Sequence, residues 1–160
     1  MLSNAITLTE TSVDDLSIFY EFQLDEEANY LAAFTAKDSG DKIAYISKYT
    51  RFLTDPTITM RTIKVNDAIV GSIAKFVMEN DAEITYWIGR KFWGKGIATA
   101  ALKALLKIEQ IRPIYGRVAF DNYGSQKCLE RCGFLKIGQE QGFANARQIK
   151  IAEFIYKLSS

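Results

Sequence analysis

The fold is decided by the stretch Tyr86-Trp-Ile-Gly-Arg-Lys-Phe-Trp-Gly-Lys-Gly-Ile-Ala-Thr-Ala-Ala-Leu102, which joins a strand, a tight glycine loop and a helix. Apolar residues alternate up to Ile88, as in a strand, and those after Gly96 recur at helical spacing. Gly94 and Gly96 have no side chain, which suits positions where the chain must turn. The first N–H groups of a helix have no internal partner and lie at the positive end of its dipole. A glycine loop that leads into a helix therefore predicts a phosphate-binding site.

The spacing of these glycines excludes two familiar phosphate-binding motifs. A P-loop has Ser or Thr directly after Gly-Lys, and the dinucleotide-binding fingerprint has three glycines spaced G-x-G-x-x-G. Here Gly94-Lys95-Gly96 is followed by Ile97, which fits neither motif. An ordinary strand-to-helix turn remains the alternative, because short glycine loops are common.

A second motif lies downstream, where Asp121-Asn122-Tyr123-Gly124-Ser125 leads to Gly133-Phe134. Together with the run Trp93-Gly-Lys-Gly-Ile-Ala98, it resembles the GCN5-related N-acetyltransferase (GNAT) superfamily. The acetyl-CoA loop of that superfamily is Gln/Arg-x-x-Gly-x-Gly/Ala, and its later segment is Asn-x-x-Ser followed by Gly-Phe. Trp93 replaces the Gln or Arg, as is common in the RimJ/RimL-like branch, which acetylates protein N-termini and other amines. The resemblance implies an N-acetyltransferase that uses acetyl-CoA as its acetyl donor.

Length and composition indicate a single domain over residues 1–160, and the resemblance implies that it is an N-acetyltransferase domain. The chain is long enough to bury a core, and its 48% hydrophobic and 24% charged residues are ordinary for a globular protein. A net charge of +1 provides no broad basic surface for nucleic acid. The sequence shows neither an apolar run of membrane-spanning length nor a basic-then-apolar leader. We therefore expect a cytoplasmic monomer or homodimer without nucleic-acid or membrane partners.

The chain contains two cysteines and no histidine. Histidine-based hydrolases, histidine metal centres and histidine acid/base catalysis are therefore excluded. Cys128 and Cys132 lie four residues apart on one face of a predicted helix. Without histidine they lack the usual partners of a structural zinc site, so we expect buried free thiols and no metal.

Hydrophobic periodicity predicts the order strand, helices, three strands, helix, strand, helix, two strands. The first strand lies near Ala5–Leu8, and helical patterning fills residues 12–53. Turns are expected at Asn66-Asp67 and Asn80-Asp81. The fold class is α/β, with a mixed, mostly antiparallel sheet of about six to seven strands and about four helices. The fourth and fifth strands, joined by a helical crossover, should be parallel.

The resemblance implies the GNAT fold, in which the fourth and fifth strands splay apart and the pantetheine arm of acetyl-CoA lies in the opening. A terminal hairpin is expected from Leu135–Gln139 and Gln148–Leu158. The apolar residues of its last strand change phase after Ile151. We therefore expect a β-bulge near Ala152-Glu153.

The residues expected to hold acetyl-CoA fall into three groups. The candidate pyrophosphate cradle is the loop and helix start that follow Trp93, formed by backbone N–H groups of Gly94, Lys95, Gly96, Ile97, Ala98 and Thr99. The side chain of Lys95 either adds charge or is simply solvated. By analogy with the family, backbone groups of Trp87, Ile88 and Gly89 would pair with the pantetheine amides like an added strand. Asn122 either caps its own helix or hydrogen-bonds the pantetheine or a water on the thiol side.

The reaction needs a base, because an ammonium group must lose a proton before it attacks a thioester. Glu83 is the candidate, acting directly or through water, because it resembles an acidic residue common near the splay in this branch. The alternative is a strand-end glutamate that faces solvent. Strand alternation places Glu83 on the opposite face from Tyr86.

The general acid departs from the superfamily pattern. Many members place a tyrosine seven residues after the motif asparagine to protonate the departing thiolate, but this position is Leu129. Ser125 is the substitute candidate, and helix capping or hydrogen bonding to the cofactor is its alternative role. A thiol with a pKa of about 8.5 is a tolerable leaving group, so a strong acid is not essential.

We expect direct transfer in a ternary complex, where positioning of the two substrates supplies much of the rate. A covalent route through Cys128 or Cys132 is disfavoured, since no histidine activates either thiol. The helices between Ser12 and Leu53 should form part of the acceptor site, as in the superfamily. The leading acceptor is a protein or peptide N-terminus. The alternatives are a small-molecule amine, such as a polyamine, amino sugar or amino acid, and a non-catalytic CoA-binding module.

Overall fold

The computed structural model describes residues 5–38 and 40–160, which form one seven-stranded sheet with five α-helices and a short 3₁₀ turn. The strands lie in the order β1-β2-β3-β4-β5-β7-β6, and only β4 and β5 are parallel neighbours. In chain order the elements are β1 (Ile6–Glu10), α1 (Asp15–Phe22), α2 (Glu26–Ala32), α3 (Lys42–Leu53), β2 (Thr59–Val65), β3 (Ala68–Met78), β4 (Asp81–Ile88), the 3₁₀ turn Arg90–Phe92, α4 (Ile97–Ile108), β5 (Ile114–Ala119), α5 (Tyr123–Arg131), β6 (Leu135–Ala144) and β7 (Ile149–Leu158). The predicted α/β architecture is confirmed. Within the described ranges, no helix is long and apolar enough to cross a membrane.

The helices cover the two faces of the sheet in two groups. On one face, Leu102 and Leu105 of α4 and Leu129 of α5 pack on Ile73 and Ile84 of the central strands. On the other face, Leu16 and Phe19 of α1 pack with Met60, and aromatic residues of α3 surround them. Successive strand residues point to opposite faces, so each central strand contributes to both cores.

The first predicted hairpin turn is confirmed, and the second lies one residue earlier than expected. Asn66 and Asp67 have φ angles of 51° and 66°, and Glu79 and Asn80 have φ angles of 51° and 71°. A two-residue hairpin loop takes positive φ at both positions, because this twist matches that of the flanking strands. The pairing of Asp81 with Met78 in the ladder moves the second turn from Asn80-Asp81 to Glu79-Asn80.

The two parallel strands part as predicted. Pairing between β4 and β5 covers three residue pairs and ends at Ile84 and Gly116, although both strands continue. At this point a Cβ on Gly116 would lie 2.7 Å from Leu129 Cδ2. Leu129 is 1% exposed, so the residue that replaces the superfamily tyrosine fills the core beside the splay.

The expected bulge near Ala152-Glu153 is wrong. The register of β7 runs without a break there, and the irregularity lies on β6 between Lys136 and Gly138. The apolar residues of β7 change phase because its two halves are covered on opposite faces of the sheet. Ile151 packs with Ala33, Ala119 and Ala144, whereas Tyr156 belongs to the core under α4 and α5.

Candidate active site

A cavity of about 570 Å³ opens where β4 and β5 part. Its walls are the end of β4, the glycine loop, the first turns of α4 and α5, and one face of α2. The lining residues are Ala28, Leu31, Ala32, Tyr86, Trp87, Ile88, Phe92, Trp93, Gly94, Gly96, Ile97, Ala98, Thr99, Asp121, Asn122, Tyr123, Gly124, Ser125, Cys128 and Arg131. Both sequence motifs thus border one cavity.

The glycine loop leaves the start of α4 open to this cavity. Gly94 and Gly96 have φ angles of 77° and 74°, a left-handed conformation that glycine adopts without steric cost. Gly96 is the N-cap of α4 and makes no side-chain cap, and its carbonyl accepts the N–H of Ala100. The N–H groups of the first helical turn therefore have no partner within the helix. Ile97, Ala98 and Thr99 line the cavity at this end, whereas the exposed Lys95 does not line it.

The backbone of β4 is only partly free to bind a ligand. The Gly89 N–H donates to the Val70 carbonyl at 2.8 Å, and the Gly89 carbonyl accepts from Phe92. In an antiparallel ladder the bonds to one neighbour occur at every second residue, so the backbone of Trp87 also faces β3. Contrary to the expectation, the backbone groups of Trp87 and Gly89 are therefore not free to pair with pantetheine. The backbone groups that face the opening belong to Tyr86 and Ile88.

Trp93 fixes the loop against the strand. Its indole Nε1 donates to the Ile88 carbonyl at 2.9 Å, and the Arg90 guanidinium lies 5.5 Å from the ring centroid. Arg90 in turn pairs with Asp25, the N-cap of α2, at 3.0 Å. The loop is thereby connected to the wall that α2 forms.

Asn122 caps α5 and also contacts α2. Its Oδ1 accepts from the Ser125 N–H, and its Nδ2 donates to the Leu31 carbonyl, both at 3.3 Å. The capping role considered for Asn122 is therefore present in the structure. Asn122 and Ser125 both line the cavity.

Ser125 is hydrogen-bonded to a residue that the sequence analysis did not assign to the site. Its Oγ lies 2.7 Å from Tyr86 Oη, across the gap between α5 and β4. Burial raises the pKa of Tyr86 well above its ordinary value, so this phenol is protonated at neutral pH. Tyr86 alternates with Ile84 and Ile88 along β4, and its hydroxyl in this otherwise apolar row was the signal that could have indicated a site residue.

Glu83 is separated from the cavity lining. It is 6% exposed, on the opposite face of β4 from Tyr86, and its Oε2 lies 3.3 Å from Arg117 Nε. The solvent-facing alternative considered for Glu83 is therefore wrong. Burial raises the pKa of this carboxyl, and the Arg117 charge opposes the increase. Arg117 also pairs with Glu140 and Glu153, at 2.9 and 3.4 Å.

Asp121 and Arg147 form a second ionic contact at the edge of the site. The Arg147 guanidinium donates to both carboxylate oxygens of Asp121, at 2.7 and 2.8 Å, and its side chain is 5% exposed. Arg147 Nε donates to the Tyr30 carbonyl on α2 at 2.9 Å. Arg147 thus holds the β6–β7 loop, α2 and the start of α5 together. Neither residue was predicted, because they lie 26 positions apart in the sequence and in no common motif.

The two cysteines are free thiols, as expected, but only Cys128 is fully buried. A hydrogen bond from Cys132 lowers the pKa of the Cys128 thiol, and a contact with Tyr86 acts in the same direction. Cys132 is half-buried, and its Sγ lies 3.7 Å from the Thr99 carbonyl. Cys128 thus lines the cavity and contacts Tyr86, the partner of Ser125.

The fold agrees with comparisons to known proteins. The model of the acetyltransferase (GNAT) domain matches residues 5–135. The chain therefore belongs to the GNAT acetyltransferase family, which confirms the predicted family and the predicted enzyme class. No curated protein matches the chain by sequence.

Solved structures of several acetyltransferases share the fold. The microcin C7 self-immunity acetyltransferase MccE, in complex with acetyl-CoA and AMP, has a TM-score of 0.79 at 21% identity, over 99% of this chain and 94% of that one. The apo ribosomal L7/L12 α-N-protein acetyltransferase RimL has a TM-score of 0.82 at 16% identity, over 99% of this chain and 92% of that one. A chimera of spermidine N-acetyltransferase SpeG from Vibrio cholerae and hSSAT has a TM-score of 0.76 at 19% identity, over 94% of this chain and 93% of that one. Acetyl-CoA as the acetyl donor is consistent with family membership and with the ligand of the MccE structure.

Proposed function

We propose that this chain transfers the acetyl group of acetyl-CoA directly to the primary amine of a protein or peptide N-terminus. The observation that carries the choice of acceptor is the charge of the cavity wall. Among the described lining residues, Asp121 is the only carboxylate, and both of its oxygens bind Arg147. A polyamine carries several charges that need unpaired carboxylates, whereas a peptide N-terminus brings one amine and a neutral backbone.

The residues around the cavity fit acetyl-CoA. The open first turn of α4, from Ile97 to Thr99, presents N–H groups and the positive end of a helix dipole to a pyrophosphate. Positive φ at Gly94 and Gly96 and the space beside both residues let a ligand approach the backbone closely. The backbone of Tyr86 and the N–H of Ile88 face the opening and suit an extended ligand with amide groups, such as pantetheine, whereas the Ile88 carbonyl already accepts from the Trp93 indole.

Glu83 is proposed as the base, acting through water because its side chain does not line the cavity. A buried carboxyl with a raised pKa is a stronger base than an exposed one, and it is still ionised when the pH exceeds that pKa. Ser125 is proposed as the acid that protonates the departing thiolate, because its hydroxyl lies on the cavity wall. The acetyl group then passes to the nitrogen without an intermediate on the protein.

The acceptor wall supports a peptide over a highly charged amine. Ala28, Leu31 and Ala32 of α2 supply an apolar surface. This wall is held in place by the Ala146 N–H, which donates to the Ala33 carbonyl at 3.1 Å, and by the contact of Arg147 with Tyr30. A small-molecule amine remains the alternative, and the shared fold of the SpeG chimera motivates its inclusion in the test.

The test is thiol release from acetyl-CoA with a panel of peptides, polyamines, amino sugars and amino acids. Each peptide is paired with the same peptide blocked by N-terminal acetylation, which removes only the reacting amine. We expect release with free peptides and none with blocked ones. Faster turnover of a polyamine or amino sugar than of every peptide would replace the proposed acceptor with a small amine. Mass spectrometry of a peptide that also contains lysine would show which amine is acetylated.

A further inference from the structure

We infer that Tyr86 supplies a proton to Ser125 as Ser125 protonates the departing thiolate. Tyr86, on β4, would thus replace the superfamily tyrosine that is missing from α5. The inference rests on the proposed function, because it concerns departure of the thiolate from acetyl-CoA. The two oxygens, Tyr86 Oη and Ser125 Oγ, are 2.7 Å apart, a normal distance for a strong O–H···O bond. Both residues line the cavity.

The direction of this hydrogen bond follows from the chemistry of the two groups. A phenol is a much stronger acid than an aliphatic alcohol, so Tyr86 is the better donor and Ser125 Oγ the better acceptor. Tyr86 Oη is 3.3 Å from the backbone carbonyl of Ser125, a longer contact than the one to Oγ. When Tyr86 donates to Oγ, the serine proton is free to point into the cavity. Ser125 is then the group that contacts substrate, and Tyr86 is a positioning residue that acts through it.

The surroundings keep Tyr86 protonated until the thiolate departs, so that a phenolate is formed only transiently. The ring lies on the apolar face of β4 between Ile84 and Ile88, with α5 above it. Desolvation holds the pKa of Tyr86 high, so the phenol keeps its proton before the reaction. Leu129 is buried over Gly116 and has no polar group, so the ordinary tyrosine position of the superfamily supplies no proton.

The step balances without another reactant. The neutral amine forms the C–N bond, and the C–S bond breaks with its electron pair on sulfur. Sulfur takes the Ser125 proton as Ser125 Oγ takes the Tyr86 proton. The acylated nitrogen loses its extra proton to water, and water returns a proton to the phenolate. The products are the amide and the thiol, and both side chains end as they began.

The test compares four proteins, namely wild type, Tyr86→Phe, Ser125→Ala and the double variant, with Tyr49→Phe as a control. Tyr49 lies on α3 outside the cavity, so its variant measures the effect of removing a partly buried phenol elsewhere. We expect Tyr86→Phe and Ser125→Ala each to lower kcat by about 100-fold with little change in KM. Because Tyr86 acts through Ser125, the double variant should be no slower than Ser125→Ala.

Two further readouts separate proton delivery from a structural role. In mixtures of H₂O and D₂O, wild type should show a curved dependence of kcat on deuterium fraction, since two protons move, and Tyr86→Phe a linear one. Calorimetry of CoA binding in two buffers of different ionisation enthalpy should show proton release in wild type and less in Tyr86→Phe. Multiplicative losses in the double variant, or unchanged kcat in Tyr86→Phe, would overturn the inference.

The outcomes also separate this inference from the proposed acceptor. If a small amine is the best substrate, the same variants are measured with that amine, and only the peptide assignment fails. If no amine reacts, the variants are measured on hydrolysis of acetyl-CoA, in which the same thiolate departs. A wild-type protein that binds acetyl-CoA but catalyses neither reaction would overturn both proposals.

Discussion

Glu83 and Arg117 meet where β4 and β5 part, with Glu83 Oε2 3.3 Å from Arg117 Nε. Burial raises the pKa of Glu83, and the charge and hydrogen bond of the guanidinium oppose the increase. If Glu83 is the base, Glu83→Gln should lower kcat by about 100-fold and leave the affinity for acetyl-CoA unchanged. Initial rates and calorimetry measure the two effects.

The matched control is Glu140→Gln, because Glu140 is another Arg117 partner but is exposed. We expect it to keep wild-type kcat. Equal losses in both variants would mean that Glu83 only holds Arg117 in place.

The pH profile gives a second test of Glu83. A base must be deprotonated, so kcat should fall as the pH drops through the pKa of Glu83. Burial raises this pKa, so the fall should begin at a higher pH than for an ordinary glutamate. The acidic limb should be absent from the residual activity of Glu83→Gln, and its persistence would assign the titration to another group.

The pair Asp121–Arg147 should contribute to stability rather than to chemistry. Arg147→Lys keeps the charge but loses the two-pronged contact and the bond to Tyr30, so we expect the free energy of unfolding to fall by about 2 kcal/mol. Hydrogen bonding from Arg147 lowers the pKa of Asp121 in the fold. This stabilisation is present above the unfolded pKa and is lost as the pH falls through the folded pKa.

Urea unfolding of wild type and Asp121→Asn at several pH values measures this dependence. The two proteins should differ most at neutral pH and converge in acid, where wild-type Asp121 is protonated. A constant difference across the pH range would show that charge on Asp121 is not responsible.

The local motifs were the predictable part of the site, because their geometry depends on neighbouring residues. Gly94 and Gly96 predicted an open helix start, and Asn122 a cap, without knowledge of the rest of the fold. Contacts between distant segments were not predictable. The Asp121–Arg147 pair depends on where a β-hairpin loop lies, and the bond from Tyr86 to Ser125 depends on how α5 lies on β4.

Strand register explains the other differences. Alternation placed Glu83 and Tyr86 on opposite faces, but it could not show that Glu83 is buried beside Arg117. The bulge expected in β7 arose from treating its apolar residues as one face, whereas Ile151 and Tyr156 belong to separate cores. Which helix covers which half of a strand is a property of the whole sheet.

Direct transfer makes a kinetic prediction about Cys128. Its lowered pKa and its place in the cavity make it the thiol to examine for a covalent route. In a ternary-complex mechanism, double-reciprocal plots against both substrates intersect, and acetyl-CoA alone leaves the protein mass unchanged. Parallel plots, with an acetyl group on the peptide that contains Cys128, would contradict direct transfer.

The central claim is that the glycine loop and the start of α4 form the acetyl-CoA site. Calorimetric titration of acetyl-CoA into wild type, Gly96→Ala and Gly138→Ala tests it most directly. An added Cβ meets nothing within 4 Å at Gly96 or at Gly138, but of these two residues only Gly96 has positive φ. An L-residue in that conformation costs about 1–2 kcal/mol, so the substitution should move the loop. We predict one site per chain and an affinity about tenfold lower in Gly96→Ala but unchanged in Gly138→Ala. No binding to wild type, or equal affinity in all three proteins, would contradict the account.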